Sequence, residues 1–278
     1  MAEGGESRTA QEWLPAFRRA CDRIGDAVGA MAPEERGEPR GRGAGGDVTI
    51  LADRIAEDIV LEELGALGRP LRVLSEEVGA VAVGGGGEGD PLVVVDPIDG
   101  SVNAKRGLPL FSTSIALAEG PTMADVLLGI VRDHGTGEEW LAERGRGALL
   151  GGTPLGPRPP LDPRRLQLLM MEGATPARVA RAAGRLDGRV RRLRALGSLA
   201  LSLCHTAAGR ADAMVGLGPA RAVDVAAAQL VVQETGLLVG VPHPEDLAAT
   251  PLDMAARFRM TAAHDYETID LLRGLSGR

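Results

Sequence analysis

Leu92–Asn103 reads LVVVDPIDGSVN. Four apolar residues run into two aspartates three positions apart, followed by a glycine, a serine and an asparagine. A short unbroken apolar run bounded by turn residues is the pattern of a strand buried on both faces. Asp96 precedes a proline, which holds it extended, so it closes the strand. Asp99-Gly100 opens a turn. Asp-Gly also favours a hairpin, but SVNAKRGLP is not a returning, alternating strand. Two carboxylates about 4 Å apart repel by roughly 4 kcal/mol at an effective dielectric of about 20. A divalent cation between them turns that repulsion into attraction. Oxygen ligands suit magnesium and calcium, and octahedral oxygen ligation suits magnesium or manganese.

More acid lies along the chain. Glu76 and Glu77 close the short apolar stretch LRVLSEE, where a solvated turn is the simpler explanation. Asp224 sits where RAVD meets VAAAQLVV, and Asp47 begins DVT; each could be an ordinary helix cap.

Outward from this strand, the first half reads as two helices and then a strand meander. TAQE at Thr9–Glu12 is a capping box opening a helix to about Met31. Pro33–Gly46 is glycine-rich and aperiodic, which predicts a mobile loop, and DVTILADRIAEDIVLEELGALG predicts a second helix. LRVLSEE, PLVVVD, FSTSIALAE, ADVLLGIVRD and EEWLAERG predict strands, the last three antiparallel. From Gly151 strands and helices alternate. Thr175-Pro176 opens one helix, Gly236 closes another and Asp265 caps the last. The expected class is α/β with an α+β first half. The expected division is a 1–150 subdomain with most of the acidic site and a 151–278 subdomain with Asp224.

Composition narrows the function. A net charge of −7 and 2% aromatic residues argue against a nucleic-acid footprint or a base-stacking platform. No apolar run is long enough to span a membrane, and no signal-peptide pattern stands at the N-terminus. Cys21 and Cys204 form neither a zinc-type cluster nor a disulfide framework. The expectation is a cytoplasmic protein.

VVVDPIDGSVN resembles the DPIDGT-N signature of the inositol monophosphatase family, within the fructose-1,6-bisphosphatase superfamily. SEE, DVTILAD, RALGSLALSLCHTAAGRAD and AVDVAAAQLVVQETG resemble further elements of the family, in its order, across residues 47–236. The archaeal dual-activity branch, acting on inositol monophosphate and fructose-1,6-bisphosphate, is the nearest in pattern. The resemblance implies a layered αβαβα sandwich and magnesium-dependent hydrolysis of phosphate monoesters, with two or three ions and manganese as an alternative. It implies that Glu76, Asp96 and the Ile98 carbonyl hold one metal, and that Asp96, Asp99 and Asp224 hold a second. Glu76 would help to hold a weaker third. Ser101, in the family's threonine position, and Asp47 would orient and deprotonate the attacking water. Gly100 and Ser101 would offer backbone N–H groups to the phosphate, with Ser198 and Arg221 as further substrate contacts. A homodimer is implied as well.

The chain departs from the family pattern in several places. Val102 and Val223 replace a threonine and a tryptophan, Leu199 stands where a small residue is commoner, and Leu217 falls where inositol-specific enzymes carry a glutamate. The Pro33–Gly46 loop has arginines, Arg36, Arg40 and Arg42, where the family often has lysine. Lys105 and Arg106 match a basic pair in relatives, and His205 reads as structural. Two rival readings are a 3′(2′),5′-bisphosphate nucleotidase and a non-catalytic regulatory relative. The scarce aromatics weigh against the first, and the retained acids against the second.

Overall fold

The computed structural model describes residues 7–44, 46, 48–157, 162, 165–240 and 244–275. Asp47 lies outside the described residues.

The strand Leu92–Asp99 is buried at every position. Leu92 and Val94 belong to one apolar cluster, Val93 and Val95 to another, because successive side chains leave a strand on opposite faces. The strand lies within an eight-stranded sheet. From one edge its order is Thr153–Leu155, Gly147–Leu150, Glu139–Glu143, Val126–Asp133, Ser112–Ala118, Leu92–Asp99, Leu71–Ser75 and Gly79–Val83. Leu92–Asp99 runs parallel to Leu71–Ser75 and antiparallel to Ser112–Ala118. The strands from Leu92 to Leu155 form an antiparallel meander; its three strands between Ser112 and Glu143 are those read from the sequence, and Gly147–Leu150 and Thr153–Leu155 extend it.

One face of this sheet packs against the helices Arg8–Ala30 and Leu51–Gly65. Trp13, Phe17, Ile24 and Val60 meet Val93, Val95 and Ile115 there. The other face packs against Leu199–Ala207 and Ala222–Glu234. The latter helix buries Val223, Val225, Leu230 and Val232 with almost no polar face. A helix apolar all round must be covered all round, and the second cover is a five-stranded sheet. Its order is Val190–Arg194, Leu166–Glu172, Ala213–Gly216, Thr261–Ala263 and Leu238–Gly240. Met170, Met214 and Ala262 carry the same core across to it. Its outer face is closed by Pro176–Leu186 and Tyr266–Arg273, through Ala182, Leu186, Ile269 and Leu272. Helix, sheet, helix, sheet and helix make the five-layer sandwich.

Local departures have physical causes. The first helix begins at Arg8, because the Ser7 hydroxyl accepts from the Ala10 amide at 3.1 Å and Arg8 pairs with Glu12 at 3.1 Å. The segment expected to be a mobile loop instead holds a one-turn helix, Pro33–Arg36, and a strand, Pro39–Arg42. That strand pairs with Val48–Ile50, so the second helix starts at Leu51, later than the pattern predicts. The strand Gly79–Val83 hides in a run of small residues that gives no alternating signal. Among the described residues no helix is long and apolar enough to cross a membrane.

At Gly129 the sheet and the middle helix, Ala222–Glu234, come into backbone contact. A Cβ there would stand 2.8 Å from the Ala227 carbonyl oxygen and 2.9 Å from its Cα. Backbone cannot yield as a side chain can. Gly129→Ala should therefore destabilise the protein by about 1–3 kcal/mol in urea unfolding; unchanged stability would refute this packing.

Candidate active site

The register of two parallel strands assembles the acids. Ser75 lies opposite Val95, so the next residues, Glu76 and Asp96, lie side by side where the parallel pairing ends; Asp96 does not close its strand as expected, because pairing with Ser112–Ala118 carries the strand on to Asp99. Pro97 has no N–H to give the ladder, and the pairing with Ser112–Ala118 shifts between Asp96 and Asp99. The bulge leaves both aspartates lining one cleft of about 510 Å³. Asp224 comes from the opposite direction, in the first turn of the middle helix, where it accepts from the Arg221 amide at 2.7 Å. It thus holds the N3 position, with Arg221 at the N-cap. Carboxylate oxygens of Glu76, Asp96 and Asp224 lie within 4.8 Å of one another.

Burial and mutual repulsion oppose ionisation of this group. Burial, against the pull of Arg221, pushes Glu76 up to about 8. Asp96 is raised well above the ordinary range by burial and then by Glu76, Asp99 and Asp224. Asp99 is pushed up to about 7 by burial, against its hydrogen bond from Ser198. Asp224 also rises through burial, opposed by Arg221. A divalent cation would reverse these tendencies, and this all-oxygen donor set fits a hard cation.

Each expected residue has a definite place. Asp99 accepts from the Ser198 hydroxyl and from the amides of Ala200, at 2.7 Å, and Leu199, at 3.3 Å. Ser198 is fully buried behind Asp99 and also caps its own helix; its contact is with the aspartate and not with the open cleft. Arg221 reaches back to two acids, donating from Nη2 to Glu76 Oε1 at 2.5 Å and from Nε to Asp224 Oδ1 at 3.4 Å. The Ile98 carbonyl accepts from the Ser101 hydroxyl at 3.0 Å. Gly100 has φ 101°, and a Cβ there would stand 3.0 Å from the Leu110 carbonyl oxygen; glycine lets the chain turn from strand into the short helix that presents Ser101. His205 meets the Trp140 ring edge-on at 5.3 Å, a packing role. Leu217 is buried in the core of the second sheet.

Asp53 is the residue that the sequence reading passed over. It lines the same cleft. Its Oδ2 accepts from the Ile50 amide at 3.1 Å, and its buried Oδ1 has no hydrogen-bond partner. Burial, helped by Glu77, pushes Asp53 up to about 6, opposed first by the Ile50 amide and then by the neighbouring Ser101 hydroxyl. The sequence signal was present in DVTILAD, which ends on Asp53. The intervening strand Val48–Ile50 delays the helix, so Asp53 occupies its first turn.

Comparison with known proteins identifies the family. A model of the inositol monophosphatase family matches residues 11–272. A fructose-1,6-bisphosphatase/inositol-1-monophosphatase of Methanothermobacter thermautotrophicus is 33% identical over 264 residues, covering 92% of this chain and 93% of the relative. A fructose-1,6-bisphosphatase of Pyrococcus furiosus is 31% identical over 212 residues, covering 76% of this chain and 74% of the relative. A crystal structure of an inositol monophosphatase–fructose 1,6-bisphosphatase superposes with a TM-score of 0.81 at 25% identity, covering 95% of this chain and 99% of the other. With its carboxylates gathered at the end of the Leu92–Asp99 strand and residues 11–272 matched by the family model, the chain belongs to the inositol monophosphatase family and is a phosphatase.

Proposed function

We propose that the protein is a magnesium-dependent hydrolase of small sugar and polyol phosphate monoesters, with inositol-1-phosphate and fructose-1,6-bisphosphate as the first candidates. The observation that carries this reading is the convergence of Glu76, Asp96 and Asp224, with Asp53 beside Ser101 in the same cleft. Glu76, Asp96, the Ile98 carbonyl, Asp99 and Asp224 would hold two or three ions, manganese being the alternative to magnesium. Such ions polarise phosphoryl oxygens and make a water acidic near neutral pH.

The chain's own groups divide the remaining work. Asp53 Oδ1, buried and without a partner, accepts the proton of the attacking water. Ser101 orients that water through its hydroxyl. The backbone N–H groups of Gly100 and Ser101 meet the phosphate. Ser198 and the amides of Leu199 and Ala200 hold Asp99 at a fixed angle. Arg221 keeps Glu76 and Asp224 oriented and lends positive charge to the phosphate side. The working form is read as a homodimer, from the resemblance, and as cytoplasmic, from the sequence composition; sedimentation tests the assembly.

Three outcomes are expected. Phosphate release from inositol-1-phosphate or fructose-1,6-bisphosphate should require magnesium and stop with EDTA; release that EDTA leaves intact would end the metal reading. Asp53→Asn should cut kcat by about 10²–10⁴-fold, the range for a lost general base, while Asp47→Asn should cost much less. The reverse order would return the role to Asp47. The third concerns pH. Asp53, Asp99 and Glu76 have ordinary values of 3.8, 3.8 and 4.5 and are pushed up to about 6, 7 and 8 in the fold. Below about 4 both folded and unfolded chains keep these protons, so nothing is lost there. As pH rises through 8 the folded chain alone resists ionisation, and the metal-free protein loses stability. Added magnesium should therefore raise Tm more at pH 8 than at pH 5.5. An equal gain at both would mean that these carboxylates do not carry the binding.

A further inference from the structure

The cleft has an electrostatic difficulty that the reaction itself does not settle. Among the described residues, seven carboxylates and one arginine line it. That arginine, Arg221, is engaged with Glu76 and Asp224. One phosphate would be compensated by the metals. A substrate with a second phosphate would bring a further dianion among the acids, and would need a cation outside the metal cluster.

One lies at the wall formed by the second sheet. Gly173, after the strand Leu166–Glu172, and Gly218, after Ala213–Gly216, both line the cleft. Their backbones touch. A Cβ on Gly173, at φ +63°, would stand 2.7 Å from the Gly218 nitrogen. A Cβ on Gly218 would stand 2.9 Å from Arg178 Nη1 and 3.5 Å from its Cζ. The Arg178 guanidinium therefore packs against Gly218, a residue of the cleft wall, from just behind the lining residues, and neither glycine has a side chain to stand between it and the cleft.

Its charge is uncommitted. Arg178 is half-buried, donates from Nη1 to the Gly173 carbonyl at 3.2 Å, and pairs with no carboxylate among the described residues. Glu172, the nearest acid in the chain, is spent elsewhere. Its two oxygens accept from the amides of Leu196, at 2.7 Å, and Gly197, at 3.1 Å, and from the Ser202 hydroxyl, at 2.7 Å. Leu217 turns into the core, so the neighbouring turn adds no acid. The Arg178 amide donates to the Thr175 hydroxyl at 3.4 Å, which fixes the backbone from which the side chain springs. A guanidinium has five N–H donors in a planar fork that matches phosphate oxygens.

We propose that Arg178 is a specificity-determining residue, receiving the second phosphate of a bisphosphate substrate through its guanidinium at the Gly173–Gly218 wall. This rests on the phosphatase reading of the same cleft. The contact is with the phosphate that does not react, so it discriminates between substrates and leaves the chemical step unchanged.

The test compares fructose-1,6-bisphosphate with inositol-1-phosphate under magnesium, for the wild type and Arg178→Gln. The expected result is a loss of about ten- to hundredfold in kcat/KM for the bisphosphate, carried mainly by KM, the range for a lost charge-assisted contact. The monophosphate should change less than about twofold. Gly218→Ala leaves the arginine in place but pushes its guanidinium aside, and should give the same selective loss should the glutamine variant fail to fold. Equal losses on both substrates, or none on the bisphosphate, would overturn the proposal. So would a wild type that hydrolyses only the monophosphate, although the phosphatase reading would then stand. A wild type inactive on both with magnesium would instead sink the phosphatase reading, and the Arg178 assignment with it.

Discussion

Buried carboxylates that repel one another set the terms for the rest of the molecule. Glu76, Asp96, Asp99 and Asp224 are each raised in pKa, chiefly by burial. Nothing in the strands forces this cost. It arises because the parallel pairing of two strands stops at Ser75 and Val95, a bulge follows in the strand that runs on, and a helix from another layer points its first turn at them. The surroundings are arranged to tolerate the crowding. Arg221 spans two of the acids, and Asp99 is tied down by one hydroxyl and two amides.

The middle helix joins stability to chemistry. Ala222–Glu234 is buried between two sheets and so carries much of the apolar core. The same helix begins with Arg221 and Asp224. A shift of that helix against the sheet would move a candidate metal ligand, and Gly129 limits such a shift by bringing strand and helix backbones together. The position of the acid therefore depends on packing many residues away.

Much of this was legible in the sequence because the strongest signals are local. An apolar run ending in DPIDG reveals a doubly buried strand and its acids, and the apolar stretch after Asp224 reveals a helix, though not that it lies between two sheets. What could not be read depends on pairing across space. Val48–Ile50 becomes a strand only because Pro39–Arg42 lies beside it, and this moves the helix start and brings Asp53 to Ser101. Ser198 looked like a substrate contact because it follows a glycine in a recognisable element. The fold turns its hydroxyl inward to Asp99, which no spacing rule contains. Arg178 gave no sequence signal, since its role depends on two glycine turns from separate strands coming into contact.

The bulge at Pro97 has a wider consequence. Proline offers no amide to the ladder, so the sheet gives up little by breaking its register there. Asp96 and Asp99 therefore stand where the ladder has already loosened, while the opposite wall is made of turns that follow strands of the other sheet. Changes in those turns can reshape the pocket without disturbing the acids. A frame divided in this way can keep one hydrolytic centre through evolution while its substrates diverge.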